Sequence, residues 1–175
     1  MRIGHCQLDS QLGDFEGNLK KVVQGLERMD RDRVDVVCFP ECFLTGYPDE
    51  EKLARDVYAA LDAVSISPKF KNISGAEQTH MDYISALLVT YGITNPTIGK
   101  AAGEFTNKSL ADLYQTLVTK GKKSAIDALQ VGILIEEKDL ADLATLSKSV
   151  KKADIKTAIA FLKKGSENHL RAFKR

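Results

Sequence analysis

The sequence predicts a mainly α fold, in which a bundle of amphipathic helices over residues 49–175 follows a short β-α-β segment over residues 1–48. Three observations predict it. After Tyr47-Pro48-Asp49 the β-branched runs stop, and apolar residues recur at steps of three and four, the period of one helix face. Tryptophan is absent and aromatic residues make up 7% of the chain, which suits an Ala/Leu-rich bundle better than a β-sandwich. The buried-strand pattern, short, apolar and β-branched, falls before residue 49, at Val34–Phe39 (VDVVCF).

The bulk numbers narrow the function classes. The chain has 175 residues, 43% hydrophobic and 28% charged, with a mean hydropathy of −0.20, the profile of an ordinary globular chain. A net charge of +1 provides no field for nucleic acid or an anionic membrane. No apolar run is long enough to span a bilayer. The three cysteines, Cys6, Cys38 and Cys42, form no regular framework and read as reduced thiols. The opening MRIGHCQLDSQLGDFEG has charged residues where a signal peptide needs an apolar stretch. The expected location is the cytoplasm.

Arg2–Leu8 can form a short strand, and Gly13-Asp14 a turn. Phe15–Arg28 is helical, with Leu19, Val22, Val23 and Leu26 on one face. Val34–Phe39 closes the segment, and the order β-α-β implies a parallel pair with a crossover helix.

Beyond it, a helix runs from about Asp49 to Val64, with Pro48 before it and Asp49 as N-cap. Its stripe is Glu51, Ala54, Tyr58 and Leu61. The next begins after Ser67, with Pro68 in its first turn, and ends near Gly92; its stripe is Ile73, Glu77, His80, Ile84, Leu87 and Tyr91. Ile93–Asn107, rich in Gly, Pro, Thr and Asn, is a long connection. Ser109–Lys120 is a shorter helix stopped by Gly121. Ser124 and Asp127 form a capping-box variant that opens a helix from about Ala125 to Ser149. Its stripe is Ile126, Leu129, Ile133, Glu136, Leu140 and Leu143, with Glu137 one step round as an alternative carboxylate. Asp154 caps the last helix, about Ile155–Lys174, whose stripe is Ile155, Ile159, Leu162, Ser166, His169 and Phe173.

Each of these four long helices thus carries a carboxylate or imidazole on a face that should be apolar. Burying such groups is costly unless something pairs with them, and a metal ion is one such partner. Glu77-x-x-His80 is the unit that carboxylate-bridged di-iron bundles place on inward faces. A hydrogen-bond network among the same residues is the alternative, and core packing is the plain role for Tyr58.

Over residues 1–48, Gln7, Gly13, Asp14, Asn18 and the run Phe39-Pro40-Glu41-Cys42-Phe43-Leu44-Thr45-Gly46-Tyr47 resemble the amino-terminal portion of the nitrilase, or carbon–nitrogen hydrolase, family. The resemblance implies that Glu41 matches the general base of a Glu-Lys-Cys triad. It stops there. No cysteine follows Cys42 and no segment resembles the family's lysine motif, so the nucleophile that acyl transfer requires is missing. The segment is expected to be a remnant, with Glu41 a structural carboxylate.

Over residues 50–175, EEKLARDVYAAL, SGAEQTHMDYISALL, DALQVGILIEEKDLADL and GSENHLRAF resemble ferritin-like proteins, and Glu51-x-x-Ala54-Arg55-x-x-Tyr58 resembles the first-helix motif of rubrerythrins. The implied fold is a ferritin-like antiparallel four-helix bundle whose long crossover carries the helix 109–120. The implied ligands of iron, or manganese, are Glu51, Glu77, His80, Glu136 (or Glu137) and His169, in a dinuclear site. The implied chemistry is iron oxidation or reduction of oxygen or peroxide, with Tyr58 a nearby redox-capable side chain. One departure stands out: Ser166-x-x-His169 replaces Glu-x-x-His. A bridging carboxylate is missing unless Glu167 or Glu137 supplies it, which leaves a mononuclear or empty site as alternatives.

The join also departs from the resembled family, because nitrilase-like sequence occupies the place of about two turns of the first bundle helix. Residues 1–48 are therefore expected to pair between two chains through exposed strand edges, giving a homodimer. Three functions are open: a metal-binding bundle acting as an oxidase, peroxidase or iron-handling protein; a non-catalytic bundle for assembly or binding; and a carbon–nitrogen hydrolase remnant.

Overall fold

The structure is a computed structural model that describes residues 3–5, 15–31, 36–38, 47–64, 67–92, 95–105, 107–150 and 152–175. Glu41 lies outside them. The chain is mainly helical and divides into two compact units, Met1–Tyr47 and Pro48–Arg175.

In the first unit, β1 (Ile3–His5) and β2 (Val36–Cys38) pair in parallel, with Ile3 opposite Val36 and His5 opposite Cys38. The helix α1 (Phe15–Arg31) lies between them in sequence.

The second unit is built from α2 (Tyr47–Asp62), α3 (Pro68–Thr90), α4 (Lys108–Gly121), α5 (Ala125–Ser149) and α6 (Ala153–Phe173). Among these, α5 packs on α6, α4 on α5, and α3 on α6. Their ends follow local chemistry. Ser67 caps α3 by accepting from Lys69 N, with Pro68 in the first turn, where its missing N–H costs nothing. Ser124 caps α5 by accepting from Asp127 N. Two expected starts are corrected. The helix α2 begins at Tyr47, so Pro48 is inside its first turn and Asp49 is a first-turn acid that suits the helix dipole rather than its cap. At α6 the cap is Lys152, without a side-chain bond, and Asp154 is the second residue of the first turn, where it accepts from Ile155 N and from the Tyr91 hydroxyl.

The core follows the predicted stripes on α2, α3 and α6. Ala54, Tyr58, Leu61, Ile73, Ile84, Ile159, Leu162 and Phe173 are all buried, and Val57 and Phe70, which lie off those stripes, join them. The rings of Tyr58, Phe70 and Phe173 cluster with centroids 5.3–6.0 Å apart. On α5 the expected stripe is displaced: Ile126 is exposed, and Ala128, Val131, Gly132, Glu136 and Leu143 are buried. This helix is apolar on most sides, so periodicity does not select its inward face.

The connection from α3 to α4 is fastened to α2. Lys52 and Asp56, both buried, form an ion pair at 2.5 Å. Lys52 Nζ also donates to Ala101 O at 2.8 Å, and Gly103 N donates to Asp56 at 2.9 Å. Gly103 has φ +76°, a conformation that favours glycine.

Candidate metal centre

Five polar side chains meet in the interior of the helical unit. Glu51 comes from α2, Glu77 and His80 from adjacent turns of α3, Glu136 from α5 and His169 from α6, and all five are buried. Glu77 is the shared member. Its Oε2 lies 2.9 Å from His80 Nδ1, and its Oε1 lies 2.9 Å from His169 Nδ1. His80 Nδ1 is also 3.1 Å from Glu51 Oε2, and His169 Nδ1 is 3.5 Å from Glu136 Oε1. The two imidazoles stack with centroids 5.5 Å apart. The result is two three-residue groups, Glu51–Glu77–His80 and Glu77–Glu136–His169, whose donor atoms in each group lie within 4.8 Å of one another.

The surroundings are specific. The Tyr58 hydroxyl donates to Glu136 Oε1 at 2.7 Å. Phe161 meets the His80 ring edge-on with centroids 5.4 Å apart. Behind that ring is Gly165, where a Cβ would stand 2.2 Å from His80 Nε2. The absence of a side chain at Gly165 therefore makes room for the imidazole.

Charge is distributed by burial against pairing. Burial works to lower the histidines, but contacts with Glu51 and Glu77 raise His80 to about 10, and those with Glu136 and Glu77 raise His169 to about 9. Burial works to raise Glu77, yet its two imidazole partners hold it down at about 2. Glu51 is raised well above its ordinary value by burial, against the opposing pull of His80, and Glu136 reaches about 7 mainly through burial. Free of metal, the site is a pair of imidazolium ions around one shared carboxylate.

The donor set suits a hard or borderline divalent cation, because carboxylates and imidazoles without thiolates fit Fe or Mn. One atom also fits poorly as part of a purely hydrogen-bonded network. His169 Nδ1 is buried and close to two carboxylates, yet among the described residues it makes no well-aligned hydrogen bond. Its distances are those of an ion pair, but its N–H is not in line with either oxygen.

Of the sequence candidates, Glu137 is not part of this arrangement. It is exposed and pairs with Lys174 at 2.8 Å, because one residue of helix turns it about 100° from Glu136. Three further residues join the picture. Ser166 is buried, and its hydroxyl donates to Asp139 Oδ2, with Leu162 O at 3.1 Å as a second acceptor. Asp139 falls on the inward line Ala128, Gly132, Glu136, Asp139, Leu143, with steps of four, four, three and four; that line is the signal that could have found it. Glu50 has a buried Oε2 without a hydrogen-bond partner among the described residues. Burial first, and then the charges of Asp142 and Asp139, push its carboxyl up to about 8.

A family model described as an uncharacterized protein domain, DUF2202, matches residues 42–175. The uncharacterized protein MJ0754 of Methanocaldococcus jannaschii is 47% identical over 127 residues, which span 73% of this chain and 69% of that protein. The crystal structure of hypothetical protein MJ0754 is similar with a TM-score of 0.70, covering 72% of each chain at 47% identity. A shorter stretch is similar to glutamine-dependent NAD(+) synthetases. The Thermotoga maritima enzyme is 46% identical over 55 residues, which are 31% of this chain and 10% of that enzyme. The Xylella fastidiosa enzyme is 36% identical over 67 residues, 38% of this chain and 12% of that enzyme. With its model matched from residue 42 to residue 175, DUF2202 is the family to which this chain belongs.

Proposed function

We propose that α2, α3, α5 and α6 form a ferritin-like four-helix bundle that binds two iron or manganese ions and serves as an oxidase, peroxidase or iron-handling protein. The observation that carries the reading is Glu77, whose two oxygens each face a different histidine, so that two donor groups share one carboxylate. A carboxylate shared in this way would suit two cations held side by side. Glu51 and His80 would complete one position, and Glu136 and His169 the other.

A bound metal pair would supply one-electron redox chemistry toward oxygen or peroxide. The chain's own side chains do the rest. His80 and His169, each charged beside its carboxylates in the metal-free chain, would have to release those protons to serve as ligands. Tyr58 holds Glu136 Oε1 with its phenol proton, and burial first, then the Glu136 charge, keeps that phenol protonated. Phe161 covers one edge of His80.

Elemental analysis of the purified chain tests the proposal, beside a Glu77→Ala/His80→Ala variant. Two equivalents of iron or manganese, lost in the variant, are expected. A chain that stays metal-free after anaerobic iron loading would leave the imidazolium–carboxylate network as a structural device in a non-catalytic bundle.

A further inference from the structure

We propose that Asp139 is a metal ligand: it delivers from α5 the carboxylate that α6 lacks, Ser166 standing where that carboxylate would begin. The inference rests on the two-ion reading above and deepens it by naming a ligand outside the five gathered residues.

The geometry comes first. Ser166 is one turn before His169 on the inward face of α6, and it is buried. Its hydroxyl is turned onto Asp139. Asp139 is in turn three residues after Glu136 on α5, so both project to the same side of that helix. A serine is too short to reach a cation at the centre from this position. An aspartate leaning in from the adjacent helix, steered by the serine hydroxyl, brings a carboxylate to the same region.

The neutrality of the loaded site points the same way. Two divalent ions bring four positive charges. Glu51, Glu77 and Glu136 bring three negative ones when ionised, and neutral histidines bring none. Asp139 brings the fourth. The competing interpretation is an ordinary buried serine–aspartate hydrogen bond, which would leave metal binding indifferent to the aspartate's charge.

Titration of the full chain with Mn(II), with unbound ion followed by electron paramagnetic resonance, separates the two. Asp139→Asn keeps an acceptor for Ser166 and removes the charge. Ser166→Ala keeps the charge and removes the tether. Asp139→Ala/Ser166→Glu moves the carboxylate to α6. The unaltered chain is expected to bind two ions. Asp139→Asn should weaken one of them at least about tenfold, while Ser166→Ala retains both and the double variant restores both. Two ions bound to Asp139→Asn with unchanged affinity would overturn the assignment and leave the two-ion reading intact. An unaltered chain that binds no Mn(II) would remove both. Should Asp139→Asn fail to fold in a thermal melt, the double variant decides: restored binding supports the relocated carboxylate, and a single remaining ion refutes it.

Discussion

The phenol of Tyr58 on α2 donates a 2.7 Å hydrogen bond to Glu136 Oε1 on α5, and both side chains are buried. The bond stabilises the ionised form of Glu136 against the burial that raises it. Tyr58→Phe should cost about 1–2 kcal/mol of stability, the ordinary loss for a buried bond to a carboxylate. It should also move the pH midpoint of Mn(II) binding upward, because Glu136 then ionises less readily. Purely packing work for Tyr58 would lower the melting temperature and leave that midpoint in place.

Gly165 makes a sharper case. A methyl group there would meet His80 Nε2 at 2.2 Å and Cε1 at 2.4 Å, which no side chain tolerates without moving. Alanine is otherwise the better helix former by about 1 kcal/mol. Gly165→Ala should keep the helical circular dichroism signal and lose about tenfold or more in Mn(II) affinity. Unchanged affinity would mean that His80 does not hold the ion.

The pH dependence should differ between metal-free and loaded chains. His80 and His169 are raised from 6.5 to about 10 and about 9, so their contribution is complete below pH 6.5 and lost as pH rises through 9 and 10. Glu136, raised from 4.5 to about 7, and Glu50, raised to about 8, contribute in the same direction: what they add below pH 4.5 is lost as pH rises toward those values. Glu77, lowered from 4.5 to about 2, acts oppositely, its contribution present above pH 4.5 and lost as pH falls through 2. The metal-free melting temperature should therefore fall from pH 5 to pH 9. Bound Mn(II) competes with the same protons, so the stabilisation it brings should grow over that range. Calorimetry in buffers of different ionisation enthalpy should find more than two protons released per loaded chain at pH 7, one from each imidazolium and the rest from the raised carboxyls of Glu51 and Glu136.

Adjacent glutamates should behave as opposites. Glu136 is buried in the centre, and Glu137 is exposed beside Lys174. Glu137→Ala should leave metal binding unchanged and stability within about 0.5 kcal/mol. Glu136→Ala should weaken one of the two ions and leave the Tyr58 hydroxyl with the more distant Gly132 O, 3.5 Å away, as its acceptor.

How much of this was legible in the sequence depends on how one-sided each helix is. On α2, α3 and α6 polar residues mark the outer face, so the stripes isolated Glu51, Glu77, His80 and His169 on inward faces, where the structure gathers them. On α5, Val131, Leu134 and Ile135 spread apolar surface around the helix. Periodicity there favoured Ile126, which is exposed, left Glu136 and Glu137 as alternatives, and passed over Asp139. Ser166 could be read as a gap, but not as a hydrogen-bond donor to another helix, since that pairing arises only from packing. Lys52 and Asp56 show the same limit. Their spacing of four suggests a surface pair, whereas their burial depends on backbone groups about fifty residues further on.

That pair has a practical consequence for anyone wishing to trim the chain. The connection between α3 and α4 resembles a dispensable insertion in sequence, yet Ala101 O and Gly103 N complete the hydrogen bonding of Lys52 and Asp56 on the turn next to Glu51. Excising it would uncover a charged pair with no water-like substitute and loosen the helical turn that presents Glu51. A shortened version should be redesigned from the inside outward, with Lys52 and Asp56 exchanged for apolar residues before the loop is cut.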